Sequence, residues 1–298
     1  MKRRNKIRTG SLVFDTFNVL LMAVLCAVCV MPVIHVICCS FSDPRELLQN
    51  TDILVHPLGF TTLGYKLIFS NRAILTGYLN TLFYLVTGTL LSTVLTLMGA
   101  FVLSRKNLYW KRLIMFLITF TMFFSGGLIP FYLVVNKLGL LNSRLAVILP
   151  MAINTFNLII MRTAMNEIPP GLEESAMIDG AGPFTIMTRI TVPLCTSSVA
   201  VIVLFYAVGI WNSWFAASMF LRDRKLYPLQ LVLKEILVSN DTSAVLNTST
   251  DTTGKSMDIY KPLVKYCTIV AATVPVLCFY PFVQKYFVTG MMIGSLKG

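Results

Sequence analysis

The sequence predicts an all-α integral membrane protein with about six transmembrane helices and both termini in the cytoplasm. Three observations support this. Of the 298 residues, 56% are hydrophobic and 13% charged, with a mean hydropathy of +0.74, whereas a soluble domain carries about a quarter charged residues. The apolar residues come in blocks of about 18–25, the length a helix needs to cross a hydrocarbon core. The basic residues gather at block ends. The formal charge of +12 therefore reads as the Lys/Arg excess of cytoplasmic helix ends rather than as a nucleic-acid surface.

Residues 1–15 form a basic cytoplasmic tail, and residues 16–298 form one transmembrane domain. Lys2, Arg3, Arg4, Lys6 and Arg8 precede the first span, 16–39. A basic head before an apolar run imitates a signal peptide. This run is long enough to span, and no cleavage site leading into a soluble domain follows, so it reads as a retained helix. The loop 40–78 mixes Asp43, Glu46 and Asp52 with Arg45, Lys66 and Arg72, lacks a basic excess and is placed outside. The second span, 79–103, ends at a short inner loop, 104–112, carrying Arg105, Lys106, Lys111 and Arg112. The third span, 113–135, leads to an outer turn at 136–143, where Gly139 bends the chain and Asn142 is placed to cap the next helix. The fourth span is 144–165, and residues 166–195 return inside.

The fifth span, 196–220, precedes an outer loop, 221–265. Its stretch Ser239 to Asp258, rich in Ser, Thr, Asn and Asp, reads as mobile or partner-facing. Asn240-Asp241-Thr242 and Asn247-Thr248-Ser249 match short glycosylation patterns there. The sixth span, 266–288, ends in a cytoplasmic tail of small residues. Pro130, Pro150, Pro275 and Pro281 lie in or beside spans and mark expected kinks.

Several chemistries are not encoded. No G-x-x-x-x-G-K-[ST] phosphate loop occurs, and the two histidines, His35 and His56, form no metal cluster. Cys26 and Cys29 have C-x-x-C spacing on an apolar helix but no second ligand pair, so the seven cysteines read as packing residues.

The loop 166–195 is the most informative segment. Pro169-Pro170 suits a helix start, and Glu173 and Glu174 follow in the first turns, where the positive end of the helix dipole favours acids. Gly180 and Gly182 can stop that helix and turn the chain. Pro183 begins a second helix with Phe184, Met187 and Ile190 at helical spacing, and Pro193 ends it before the fifth span. The segment is a short helix–turn–helix with acids at its head and an apolar flank. Taken alone, it is also compatible with an ordinary amphipathic loop with two solvated acids.

Glu174-Ser175-Ala176, Asp179-Gly180-Ala181 and Ile190-Thr191-Val192-Pro193 resemble the EAA signature of ABC importer permeases. Ser175 stands where that signature has alanine, and Val192 where it has leucine. The Gly139-Leu140-Leu141-Asn142 turn, Trp211-Asn212 and the C-terminal Gln284-Lys285-Tyr286-Phe287-Val288 resemble the carbohydrate-uptake branch, most of all its maltose-permease-G-like and YtcP/LplC-like members.

The resemblance covers nearly the whole chain. It implies a type I ABC importer permease fold in the cell membrane, with 166–195 as the coupling helix that docks in a cytoplasmic ATPase. It implies Glu173, Glu174, Ser175, Ala176, Asp179, Gly180, Ala181, Gly182, Ile190 and Pro193 as the coupling residues. It further implies a second homologous permease subunit, an ABC ATPase dimer, an extracellular solute-binding protein and an oligosaccharide cargo, such as a polysaccharide breakdown product. This chain would itself carry no cofactor, catalytic residue or metal, with ATP and Mg on the partner ATPase.

Polar residues inside spans are costly and mark functional candidates. Asn154 and Asn157 in the fourth span and Trp211, Asn212, Ser213 and Trp214 in the fifth could line a substrate path, since aromatic faces and amides bind sugars. The same residues also serve as interhelical glue and interface anchors. The competing functions are an ion-coupled secondary transporter, for which no convincing intramembrane carboxylate or inverted repeat is seen, an ABC importer for a non-sugar solute, and a membrane scaffold or receptor, for which no sensor domain is visible.

Overall fold

The computed structural model describes residues 9–50, 52–238 and 257–295, with side chains for 14–50, 52–237 and 259–278. The basic head, the polar stretch 239–256 with its two glycosylation patterns, and the last three residues lie outside the described residues. Among the described residues every regular element is helical. Three stretches, Phe14–Ser40, Arg72–Ser104 and Ile259–Cys278, are long and apolar enough to cross a membrane, and three bent helix pairs raise the number to six if each pair is one span.

The chain divides into two compact units, Met1–Asn71 with Asn240–Thr273 and Arg72–Ser239 with Val274–Gly298. The first holds α1 (Thr9–Ser40), α2 (Pro44–Gln49) and α3 (Leu63–Ser70). Asp43 caps α2 by accepting the Arg45 N–H at 2.8 Å, with Pro44 at the first helical position. Ser42 Oγ donates to the Cys38 carbonyl and accepts the Leu58 N–H, which ties the end of α1 to the following loop. His35 has a structural duty: its Nδ1 accepts the Leu54 N–H at 3.0 Å. Cys38, Cys39 and Cys267 are buried and unbridged, and Cys267 Sγ lies 3.1 Å from the Ser40 carbonyl oxygen.

The second unit is built on α4 (Arg72–Ser104), an unbroken helix of 33 residues. It packs against α8 (Thr155–Asn166), α12 (Thr196–Trp211) and α14 (Leu229–Val238). Small residues allow the approach: a Cβ on Gly88 would sit 2.8 Å from Ile210 Cδ1, and one on Gly77 would sit 3.2 Å from the Leu229 Cα. Buried polar side chains of α4 hold the irregular chain before α14. Asn80 Nδ2 donates to the Lys225 and Tyr227 carbonyls, Tyr84 Oη to that of Leu226, and Thr81 Oγ1 accepts the Leu229 N–H.

Three expected spans are broken in the structure. Residues 113–135 form α5 (Lys111–Phe123) and α6 (Leu128–Lys137), bent by 116°. The break falls at Ser125-Gly126-Gly127, where Gly127 takes φ +86° and Ser125 Oγ accepts its N–H. In the fourth, α7 (Leu145–Ile148) and a 3₁₀ turn holding Pro150 meet α8 at 48°. In the fifth, α12 stops at Trp211 and α13 (Trp214–Phe220) resumes. Asn212 Nδ2 donates to the Val208 carbonyl and Ser213 Oγ to that of Ile210, so these side chains satisfy helix-end carbonyls in place of the next turn.

Asn142 does not cap the following helix. It takes φ +57°, and its Oδ1 accepts the Arg222 and Asp223 N–H groups, pinning the turn at 136–143 to the chain after α13. The last helix, α15 (Met257–Ser295), starts before and ends after the expected span 266–288.

Candidate functional site: the helix–turn–helix at 166–195

The expected helix–turn–helix is present. Its first arm is α9 (Pro170–Ile178), opened by Pro170 with Glu173 in the first turn. Its second arm runs from α10 (Pro183–Ile186) through a π-helical turn, Met187–Thr191, into α11 (Val192–Leu194). Cys195 breaks the helix there, and Pro183–Leu194 meets α12 at 88°. Pro193 lies inside α11, two residues before the break.

The turn between the arms is a Schellman motif. Gly180 takes φ +81°, its N–H donates to the Met177 carbonyl at 3.1 Å, and the Ala181 N–H donates to that of Ala176 at 2.9 Å. Ala181 packs against the apolar cluster that holds Ala176 together with Ile186, Met187, Phe101 and Met161. A Cβ on Gly180 or Gly182 would meet nothing within 4 Å, so the outer side of the turn is open.

Helical geometry separates the two neighbouring acids. Successive residues on α9 are about 100° apart. Glu173 and Ala176, three residues apart, share the inner face, where Ala176 is buried. Glu174, Met177 and Ile178 share the outer face, with Ile178 86% exposed. Phe184, at the start of the second arm, is 70% exposed. Glu174, Ser175 and Asp179 are exposed, and the Ser175 hydroxyl donates back to the Gly171 carbonyl. The loop thus presents a free carboxylate beside an apolar surface.

Glu173 is already engaged. Arg105, one residue beyond α4, grips it with both guanidinium nitrogens: Nη1 bonds Oε2, and Nη2 bonds Oε1 at 2.7 Å. The Thr191 hydroxyl, fully buried in the π turn, donates to Oε1 at 3.4 Å. Arg105 is itself fixed, with Nε donating to the Phe101 carbonyl and the guanidinium 3.9 Å from the centre of the Phe101 ring. Lys111 donates to the Ser104 and Arg105 carbonyls and Arg162 to that of Leu103. Three cations thus occupy the negative end of α4. Ile190 packs on the same cluster as Ala176, and Pro193 is exposed. Nearby, burial first and the Glu167 carboxylate second push the Cys195 thiol above its ordinary pKa.

The proposed path residues fall into two groups that no hydrogen bond or ring contact joins among the described residues. Asn154 caps α8 through the Asn157 N–H, and its own N–H donates to Tyr206 Oη, which also bonds Thr96 Oγ1 at 2.6 Å. Asn157 and Trp211 are buried. Ser213 lines a crevice with Tyr84, Gly88 and Ile210. Trp214 is partly exposed, with Lys234 Nζ 4.4 Å from its ring centre.

Sequence reasoning missed Arg105, Thr191, Tyr206 and Thr96. In the sequence Arg105 reads only as topological charge. Tyr206 and Thr96 were open to the rule that flags polar groups inside spans.

Residues 92–293 match the family model described as "Binding-protein-dependent transport system inner membrane component". The chain is similar to Protein LplC of Bacillus subtilis, 40% identical over 96% of this chain and 95% of that one. It is also similar to the polygalacturonan/rhamnogalacturonan transport system permease protein YtcP of the same organism, 42% identical over 91% and 93%. Among solved structures, it superposes on a bacterial ABC transporter involved in the import of the acidic polysaccharide alginate with a TM-score of 0.85. That match has 30% identity and covers 94% of this chain and 98% of that one.

Proposed function

The chain belongs to the family of inner-membrane components of binding-protein-dependent transport systems, and from that premise we propose how it works and what it carries. As an ABC importer permease subunit it moves solute through the membrane by alternating access. Its working partners are a second homologous permease, a cytoplasmic ATPase dimer that holds ATP and Mg, and an extracellular binding protein. The cargo is an oligosaccharide released from a polysaccharide. Uronate-containing chains are the first to try, because the names of YtcP and of the alginate transporter both point to acidic polysaccharides.

The observation that carries the coupling role is the division of the two acids. Glu173 faces inward and is bonded within the chain, while Glu174 faces outward beside Met177, Ile178 and Phe184. A free carboxylate next to an apolar surface suits docking: the apolar side chains supply burial, and the carboxylate offers an arginine of the ATPase a charge-assisted pair. This assigns docking to Glu174, Asp179, Gly180, Gly182 and the exposed apolar side chains. Ala176, Ala181, Ile190 and Pro193 shape the loop that presents them. In the translocation path, the exposed Asn154, Asn212 and Trp214 remain the candidates for cargo contact. Asn157, Trp211 and Ser213 serve packing and helix ends.

The test is Glu174→Lys in the four-component transporter, reconstituted in proteoliposomes. Reversing the charge lowers ATP-driven uptake by at least about tenfold, as expected for a broken charge-assisted pair, while the chain inserts as before. Uptake at the level of the unmodified transporter would remove Glu174 from the docking contact.

A further inference from the structure

We propose that Arg105 is a positioning residue that locks the coupling loop to α4, so that movement of the loop is delivered to that helix. The proposal rests on the coupling role assigned above to the helix–turn–helix. It adds an internal strut to that external contact.

Three observations carry it. The first concerns how the loop joins the rest of the chain. Its covalent connections are the short link from α8 through Glu167 to Pro169 and the 88° break at Cys195. A helix broken at either end is a compliant joint, because a few backbone dihedrals absorb the motion. The apolar cluster beneath the loop, with Ala176, Ile186 and Met187 against Phe101, Leu103 and Met161, supplies non-directional attraction. It holds the loop down without fixing its direction.

The second is the geometry of the ion pair. Both guanidinium nitrogens of Arg105 engage both carboxylate oxygens of Glu173. Such a fork keeps its two bonds only while the groups stay coplanar and in register. The pair is partly withdrawn from water, with 25% of the Arg105 side chain and 16% of the Glu173 side chain exposed. Thr191 adds a donor from the second arm, so one carboxylate gathers both arms of the loop and the end of α4. The π turn at Met187–Thr191 is the element that carries Thr191, and such turns occur frequently at functional sites.

The third is what Arg105 is anchored to. Its Nε bonds the Phe101 carbonyl and its plane lies over the Phe101 ring, so displacement of Glu173 is passed to the last turn of α4. That helix is unbroken for 33 residues and packs against α8 and α12. The bent helices beside it contain breaks where motion would be lost.

The experiment uses the complete transporter in proteoliposomes with Arg105→Ala, Arg105→Lys, Glu173→Gln and the exchange Arg105→Glu/Glu173→Arg. Cargo imported per ATP hydrolysed is measured together with ATPase co-purification. Arg105→Ala is expected to retain the ATPase at normal stoichiometry while cargo moved per ATP falls by about tenfold, the scale of one lost charge-assisted contact. Glu173→Gln, of unchanged size, is expected to lower the same ratio. Arg105→Lys keeps the charge without the fork and falls between. The exchange variant restores at least part of the ratio, which a general loss of packing could not produce. An unchanged cargo-to-ATP ratio in Arg105→Ala or Glu173→Gln overturns the strut, as does loss of ATPase co-purification in both. If Arg105→Ala fails to accumulate, Glu173→Gln and Arg105→Lys decide the question by the same ratio. Glu174→Lys, run in parallel, separates the two claims: unimpaired uptake there fails the docking role, while impaired uptake there with a normal ratio in the Arg105 variants fails only the strut.

Discussion

Replacing Gly180 separates two reasons for a glycine at the turn of the proposed coupling loop: the backbone needs it, or the partner comes too close for a side chain. In the structure Gly180 takes φ +81° at the centre of the Schellman turn. An alanine in the left-handed region costs about 1–2 kcal/mol. Within the chain that is the whole cost, because a Cβ would meet nothing within 4 Å. An energy of this size shifts the turn equilibrium by about 5- to 30-fold, and apparent affinity for the ATPase falls by up to the same factor. Asparagine visits the left-handed region far more readily than alanine, yet its side chain is larger. Titrating the ATPase onto the permease pair in nanodiscs therefore orders the variants. If turn geometry limits docking, Gly180→Asn binds better than Gly180→Ala. If close approach of the partner limits it, the order reverses. Affinity for Gly180→Ala equal to that of glycine would refute both reasons and leave the turn without a role in docking.

Two further outcomes are expected. Tyr206→Phe removes the hydroxyl shared by Thr96 and the Asn154 N–H, which leaves two polar groups short of a partner and costs about 1–3 kcal/mol. A lowered Tm in detergent with an unchanged KM for cargo marks the knot as structural, and a raised KM would place it in the substrate path. Ile178→Cys, in a background lacking the exposed Cys26, Cys29 and Cys278, is expected to react with a maleimide and to be shielded by bound ATPase. Native Cys195 stays silent near neutral pH because its raised pKa leaves little thiolate, and it reacts only as pH climbs toward that pKa. Labelling of Ile178→Cys unaffected by the ATPase would exclude this face from the docking contact.

Much of the molecule was legible from the chain, and the losses have physical causes. Block length and charge placement identified a helical membrane protein, because a helix crossing lipid must satisfy its own backbone. The helix–turn–helix was legible because proline and glycine act through local dihedrals, which need no tertiary context. The span breaks were not, because hydropathy averages over a window and does not register a single turn. Phe123-Phe124-Ser125-Gly126-Gly127-Leu128 remains apolar on average while the chain bends by 116°. Asn142 shows the same limit from another direction. Its residue type suits a cap, but the N–H groups it accepts come from residues 222 and 223, which sequence order cannot reveal.

The two glutamates show where sequence reading stopped short of what geometry allowed. Treated as one charged head, Glu173 and Glu174 appear equally suited to grip a partner. A rotation of about 100° between neighbours on a helix forbids that. With Ala176 turned inward, Glu173 must follow it, and Glu174 must turn outward with Met177 and Ile178. A carboxylate carried inward needs a cation, and Arg105, just beyond the end of α4, supplies it. The positive charge of the loop 104–112 therefore has a use beyond the topological one expected from the sequence. Arg105 is the part of that charge that reaches Glu173, and one dipeptide would thereby serve both the proposed outer contact and the proposed inner strut.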